Sequence, residues 1–204
     1  MPGAMAIGGK PESRGGTIVT GQATNKLSEV IAFHGHFCPG LTIGYRMALI
    51  GLRELGVERA RDEELVAICE NDACGIDAVQ YLTGCTLGKG NLILRDNGKQ
   101  VITFGRRSDN RMIRVSLRHG ALDDVEAASP EERRRIMIER LQEAPEDRLF
   151  EVRWVETALP AKARIFKSVQ CAGCGEGVME ARVRLREGQP LCPDCYGEPY
   201  GRGW

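Results

Sequence analysis

A mixed α+β core domain carrying a small four-cysteine module at its C-terminal end is the fold class that this 204-residue sequence predicts. Three observations lead there. Helical and strand-like apolar patterns interleave over most of the chain. An Asn97-Gly98 pair between two apolar-bearing runs signals an antiparallel hairpin. Two Cys-x2-Cys knuckles stand 17 residues apart near the end. A chain of this length can bury one sizeable core and still carry a separate small module.

Taken in order, residues 1–16 are rich in glycine and charge, with no apolar stretch of the secretory kind, and read as a disordered tail. Residues 17–33 read as a helix ended by Gly35 in the left-handed conformation. Pro39 suits the first position of a second helix, with Cys38 as its N-cap, and residues 40–55 are apolar nearly all round, as a buried helix requires. Gly56 ends that helix. Residues 65–70 read as a strand, 75–82 as a helix closed by Gly84, and 91–96 with 99–104 as the two arms of the hairpin. In 111–118 apolar residues alternate with arginines, as in a half-buried strand. Ser129-Pro130-Glu131-Glu132 has capping-box spacing and opens a helix to about residue 143. Residues 150–155 make a last core strand. The core domain is thus placed at 17–160 and the four-cysteine module at 161–204.

Lysine plus arginine and aspartate plus glutamate both number 28, so the chain as a whole has no bias toward nucleic acid or an anionic membrane. No apolar run approaches the roughly 20 residues of a membrane-spanning helix. The eight cysteines are therefore expected in the reducing cytoplasm, as thiols rather than disulfides.

Cys171, Cys174, Cys192 and Cys195 have the spacing of a four-thiolate structural zinc site. Each knuckle turns two sulfurs toward one point, and two knuckles complete a tetrahedron. A module this small folds on its metal, and four protein ligands leave no position open for catalysis. A short hairpin is expected between the knuckles, over 178–185 with a turn at Glu187-Gly188. Arg182, Arg184 and Arg186 alternate along it; a solvated strand face is the plainer reading, and the small surplus of basic residues argues against nucleic acid.

The second cluster lies in the core. His34, His36 and Cys38 follow one another at a spacing of two, which in an extended stretch would point all three to one side. The free amides and dipole of a helix start favour a thiolate at such a cysteine. Cys74 stands at a second helix start, with Asp77 one turn on. Thiolate beside imidazole makes a metal site or an activated nucleophile, with Cys38, Cys74 and Asp77 the candidate catalytic residues. Cys69 reads as a small buried hydrophobe. Cys85 is open between core and site, and His119 reads as a surface or strand residue.

The stretch from Phe33-His34-Gly35-His36-Phe37-Cys38-Pro39-Gly40-Leu41 through Gly44-Tyr45-Arg46 resembles the signature of the FmdE family of formylmethanofuran dehydrogenase proteins. Glu70-Asn71-Asp72-Ala73-Cys74-Gly75-Ile76-Asp77 and Thr83-Gly84-Cys85-Thr86-Leu87-Gly88-Lys89-Gly90-Asn91 are similar to it as well. The resemblance covers residues 25–107 closely. It implies an α+β core, often a homodimer, with a treble-clef zinc finger in some members. It marks His34, His36, Cys38, Cys74, Asp77 and Cys85 as pocket residues, with metal ligands among them (His36, Cys38 and Cys74 foremost). Partner subunits of a molybdenum enzyme are the partners it suggests.

Three readings of function follow. The first is a metal-binding accessory protein of a molybdenum or tungsten formylmethanofuran dehydrogenase system. Its core would hold a second transition metal, zinc or nickel among the candidates. The second is a metal- or thiol-dependent enzyme using the same residues. The third is a regulatory or scaffold protein whose finger binds nucleic acid or protein.

Overall fold

The computed structural model describes residues 21–198, which divide into two compact units on either side of the Pro160–Ala161 bond. The tail expected over 1–16, and the start of the helix expected from 17, lie outside the described residues. No helix among them is long and apolar enough to cross a membrane.

The first unit runs α1 (Gly21–His34), α2 (Pro39–Leu55), β1 (Leu65–Cys69), α3 (Gly75–Thr83), β2 (Leu92–Leu94), β3 (Val101–Arg106), β4 (Arg111–Leu117), α4 (Pro130–Glu143), α5 (Glu146–Leu149) and β5 (Phe150–Val155). The strands form one sheet in the order β2-β1-β3-β4-β5, parallel between β1 and β2 and antiparallel elsewhere. One sheet face lies under α2. Leu41, Met47, Ala48 and Ile50 of that helix are buried in a single cluster with Ala67, Cys69, Ile102, Phe104, Ile113 and Val115 of the strands.

The helix boundaries follow the capping chemistry. Cys38 caps α2, its Sγ accepting the Leu41 N–H at 3.4 Å, and Gly56 closes the helix at φ 63°. Gly84 closes α3 at φ 72°. Ser129 caps α4 by accepting the Glu132 N–H, and Glu132 reaches back to the Ala128 N–H.

The hairpin expected around Asn97-Gly98 does not form. The turn is there, with Gly98 at φ 66°, but the strands on either side of it do not pair with each other. β2 runs parallel to one edge of β1 and β3 antiparallel to the other. The reason is β1 itself: every residue in it is buried, so both of its edges need backbone partners. The chain from β2 crosses over the end of β1, where the Glu70 carbonyl accepts the N–H groups of Asn97 and Lys99 at 3.0 and 2.9 Å. The hairpin of this sheet is instead β3–β4, which turns through Asn110 at φ 58°, a conformation asparagine tolerates. β5, expected as a core strand, is the edge strand, and only Phe150 in it is buried.

Glu70 also anchors this crossing through its side chain. The carboxylate pairs with the Arg114 guanidinium and accepts from Asn97 Nδ2 at 3.3 Å. Arg114, then Asn97, hold its carboxyl below the usual carboxylate range. Glu70→Gln is expected to cost about 2 kcal/mol at neutral pH, the scale of a hydrogen bond to a charged group. A group whose folded pKa is depressed stabilises above its unfolded value, about 4.3 for glutamate, and loses that contribution as pH falls through the folded value. The gap between wild type and variant in urea unfolding should therefore hold down to about pH 4 and close as the pH falls further, through the folded value; a gap that stays constant well below that pH would show that the charge contributes nothing.

The second unit contains β6 (Ser168–Gln170) paired with β7 (Gly177–Met179), a 3-10 turn over Glu180–Arg182, β8 (Arg184–Arg186) paired with β9 (Gln189–Leu191), and α6 (Pro193–Tyr196). The hairpin expected between the knuckles is β8–β9, and a second hairpin, β6–β7, carries the first knuckle in its turn. Glu187 and Gly188 turn β8–β9, both at positive φ, while Val178 belongs to β6–β7.

Candidate metal centre

Two helix starts build the core site, and glycine lets them meet. A Cβ on Gly44 would lie 2.1 Å from the Gly75 carbonyl oxygen, and one on Gly75 would lie 2.9 Å from the Gly40 carbonyl oxygen. α2 and α3 therefore cross backbone on backbone at their first turns, which sets Cys38, the N-cap of α2, beside Cys74, the N-cap of α3.

The histidines arrive from α1. His34 is its last residue, and Gly35 at φ 93° turns the chain so that the His36 ring lies 4.4 Å from the His34 ring, centroid to centroid. The stretch is not extended as expected; a helix end, a left-handed glycine and a helix cap converge instead. Arg134 of α4 donates to the Phe37 carbonyl and ties this segment down.

His34, His36, Cys38 and Cys74 each place one donor atom within 4.8 Å of those of the others. Asp77 stands behind them. Its Oδ2 lies 2.7 Å from His34 Nδ1, so the carboxylate fixes the proton there and leaves a lone pair on Nε2. That Nε2 is buried and has no hydrogen-bond partner. A buried polar atom without a partner costs on the order of 1–3 kcal/mol. A cation among the two imidazoles and two thiols would remove that cost. Carboxylate behind histidine is the arrangement that orients metal-binding imidazoles. The residues therefore fit a tetrahedral site for a borderline-soft transition metal. Burial, then the neighbouring Cys38 thiol, push the Cys74 thiol up.

Cys85 does not reach the site. It is fully buried in the core, its backbone N–H held by Thr83 Oγ1, and burial raises its thiol. Cys69 is equally buried, and burial beside Cys85 pushes its thiol up to about 12. Both act as small hydrophobes. Arg134 is the contributor that sequence reading missed; it sits almost a hundred residues beyond the segment it secures, with no motif to mark it.

In the second unit, Cys171, Cys174, Cys192 and Cys195 also bring four sulfurs within 4.8 Å of one another. Cys171 and Cys174 lie in the β6–β7 connection, Cys192 caps α6 and Cys195 lies on its first turn. The N–H groups of Cys174, Cys192 and Gly173 hold the Cys171 thiol down at about 6, whereas the neighbouring thiols, Cys192 first, push Cys195 up to about 12. Four crowded thiols cannot all ionise unaided, and a divalent cation among them reverses that. Of the three arginines, Arg184 is paired with Glu198, and Arg186 donates to the Tyr196 carbonyl and stacks on its ring.

The family profile described as "FmdE, Molybdenum formylmethanofuran dehydrogenase operon" matches residues 33–151, more than half of the chain and all of the core site. The chain belongs to the FmdE family. A prokaryotic dksA/traR C4-type zinc finger profile matches residues 164–201, around the second cluster, so this FmdE chain ends in a C4 zinc-finger domain. A tungsten formylmethanofuran dehydrogenase FmdE-like protein from Syntrophus aciditrophicus, known from its crystal structure, superimposes with a TM-score of 0.63 at 26% identity. The match covers 87% of this chain and 94% of that one. A probable S-adenosyl-L-methionine-binding protein of Archaeoglobus fulgidus is 34% identical over 212 residues, taking in 88% of this FmdE chain. The chain spans about half the length of that relative, 56%.

Proposed function

We propose that this FmdE-family protein is a metal-binding accessory protein. Its core holds one transition metal on His34, His36, Cys38 and Cys74, its finger holds a structural zinc, and it works beside a molybdenum or tungsten formylmethanofuran dehydrogenase. One observation carries the core assignment: His34 Nε2 is buried without a partner next to two thiols, with Asp77 fixing the opposite nitrogen. Family membership supports the dehydrogenase connection, and free thiols in two metal-spaced clusters support a cytoplasmic location. The finger reads as a treble clef, with one knuckle in a hairpin turn and the other at the start of a short helix.

Each core residue has a role. Cys38 and Cys74 supply sulfur from two helix starts whose dipoles favour negative charge. His34 supplies Nε2, Asp77 holds the proton on Nδ1, and Gly40, Gly44 and Gly75 set the approach of the two sulfurs. A metal bound there supplies Lewis acidity or a transferable cargo.

A second reading, an enzyme, is favoured by the exposure of His36 while Cys38 is buried and His34 and Cys74 are half-buried. His36 is the one exposed donor of the four, so an incoming ligand would meet it first. The name of the Archaeoglobus fulgidus relative makes S-adenosyl-L-methionine the first small molecule to try there.

Elemental mass spectrometry of the intact chain should find two metals, falling to one after truncation at Ala161. Cys38→Ser should leave the fold intact and empty the core site, and Asp77→Asn should weaken core binding about 10- to 100-fold in a chelator titration. Core metal content unchanged in both variants would refute the ligand set. With cobalt(II) in the core, absorption bands that shift on adding S-adenosyl-L-methionine would favour the enzyme reading.

A further inference from the structure

The two histidines of the core site are held unequally. His34 is half-buried, with Asp77 on Nδ1 and Nε2 shut off from solvent. His36 is exposed, and among the described residues no group hydrogen-bonds its ring, which leans on the ring of His34. A metal-binding histidine is ordinarily fixed by a partner on its second nitrogen. His34 meets that condition and His36 does not. Gly35, just before it, sits at φ 93° with open space where a side chain would stand, so nothing blocks a turn of the chain there.

A cation is tied to the next residue of the chain. Arg134 of α4 is exposed and donates from one guanidinium nitrogen to the Phe37 carbonyl, between His36 and Cys38 in sequence. The other arginines of that helix are engaged elsewhere: Arg133 on the Val125 carbonyl, Arg135 with Glu139 and Arg140 with Asp124. Among the described residues no carboxylate pairs with Arg134, so the rest of its donor fork is open to an anion. Two thiolates already neutralise a divalent cation in the site, and an anionic newcomer therefore needs positive charge from another source.

We propose that His36 is the exchangeable ligand of the core metal, and that a small thiol bearing a carboxylate replaces it, with Arg134 holding the carboxylate. This rests on the metal-binding reading above. Sulfur is the donor because a metal already held by thiolate and imidazole is of the softer kind. Carboxylate is the anion because one guanidinium matches one carboxylate in charge and in fork geometry, whereas a phosphate monoester carries nearly two charges. In the exchange the bond from the His36 nitrogen to the metal breaks, a bond from the incoming sulfur forms, and the thiol proton leaves to solvent. No electron changes hands. His34 and the two cysteines stay in place, since they are the less exposed donors.

Titration of the cobalt(II)-loaded intact chain with mercaptoacetate and with 2-mercaptoethanol tests this, because the two share a thiol and differ in the carboxylate. The Cys38→Ser protein is the blank for cobalt in the finger. In wild type, mercaptoacetate should add to the sulfur-to-cobalt charge-transfer absorption without releasing metal, and should bind about tenfold tighter than 2-mercaptoethanol. His36→Ala should keep its core cobalt and bind both thiols more tightly, since no imidazole has to leave, whereas His34→Ala should lose the metal. Arg134→Gln should remove the preference for mercaptoacetate, and Arg134→Lys should restore part of it; a purely structural arginine would move both thiols alike. Core cobalt whose spectrum ignores both thiols, a His36→Ala protein as empty as His34→Ala, or a preference that survives Arg134→Gln would each overturn the proposal. A wild type that takes up no core cobalt would defeat the metal-binding reading itself, and this proposal with it.

Discussion

Alanine at Gly44 is expected to destabilise the core by more than about 3 kcal/mol and to abolish its metal binding. The added methyl would lie 2.1 Å from the Gly75 carbonyl oxygen and 2.3 Å from its Cα. Both obstacles are backbone, so no rotamer change relieves them, and α2 must move away from α3. The same movement separates Cys38 from Cys74, because each caps one of these helices. Gly88→Ala is the control: nothing lies within 4 Å of its added Cβ, so its effect should stay within about 0.5 kcal/mol. Thermal unfolding and metal content measured together check both. A Gly44→Ala protein with wild-type stability and a full core site would mean that the helix crossing does not set the site.

Cys171→Ser should unfold the finger, release one zinc per chain and leave the core melting as before. Cys171 is the most buried of the four thiols, at 1% exposure, and its sulfur accepts the N–H groups of Gly173 and Cys192 at 3.4 and 3.2 Å. It joins the two knuckles even before a metal is counted. The second unit has few buried apolar side chains, so its folding free energy is supplied by metal, on the order of 10 kcal/mol for comparable sites. Resonances of 161–198 should collapse to unfolded positions while those of 21–160 persist. A variant that keeps its zinc, or one that also loses the core, would each defeat this expectation.

Capping and turn residues made the helices of this chain legible in advance. Cys38-Pro39, Gly56, Gly84 and Ser129-Pro130 mark boundaries that the structure shares, because capping is a local transaction between a side chain and the nearest free amides. Strand partners were less legible. Asn97-Gly98 states that the chain turns, but whether the flanking strands pair depends on β1, more than twenty residues earlier in the chain and buried throughout. The site was half legible: two cysteines at helix starts and a histidine pair announced it. The proximity of Cys38 to Cys74 rests on glycines whose packing role only the helix crossing reveals. Cys85 looked eligible by motif but is not among the donors that converge on the core site.

The two clusters also differ in what a folding chain must complete to make them. In the finger, Cys171 and Cys192 are 21 positions apart, one in the turn of the β6–β7 hairpin and the other just after the β8–β9 hairpin, so the four sulfurs can assemble from local structure. In the core, His34 and Asp77 are 43 positions apart, and the segments carrying them meet only once α2 has settled on α3 and the sheet. The longer loop alone adds only about 0.6 kcal/mol of closure entropy; what sets the core site apart is that its donors sit on α1, α2 and α3 and meet through the packing of those helices. Metal held there reports tertiary packing, whereas metal in the finger reports local turns.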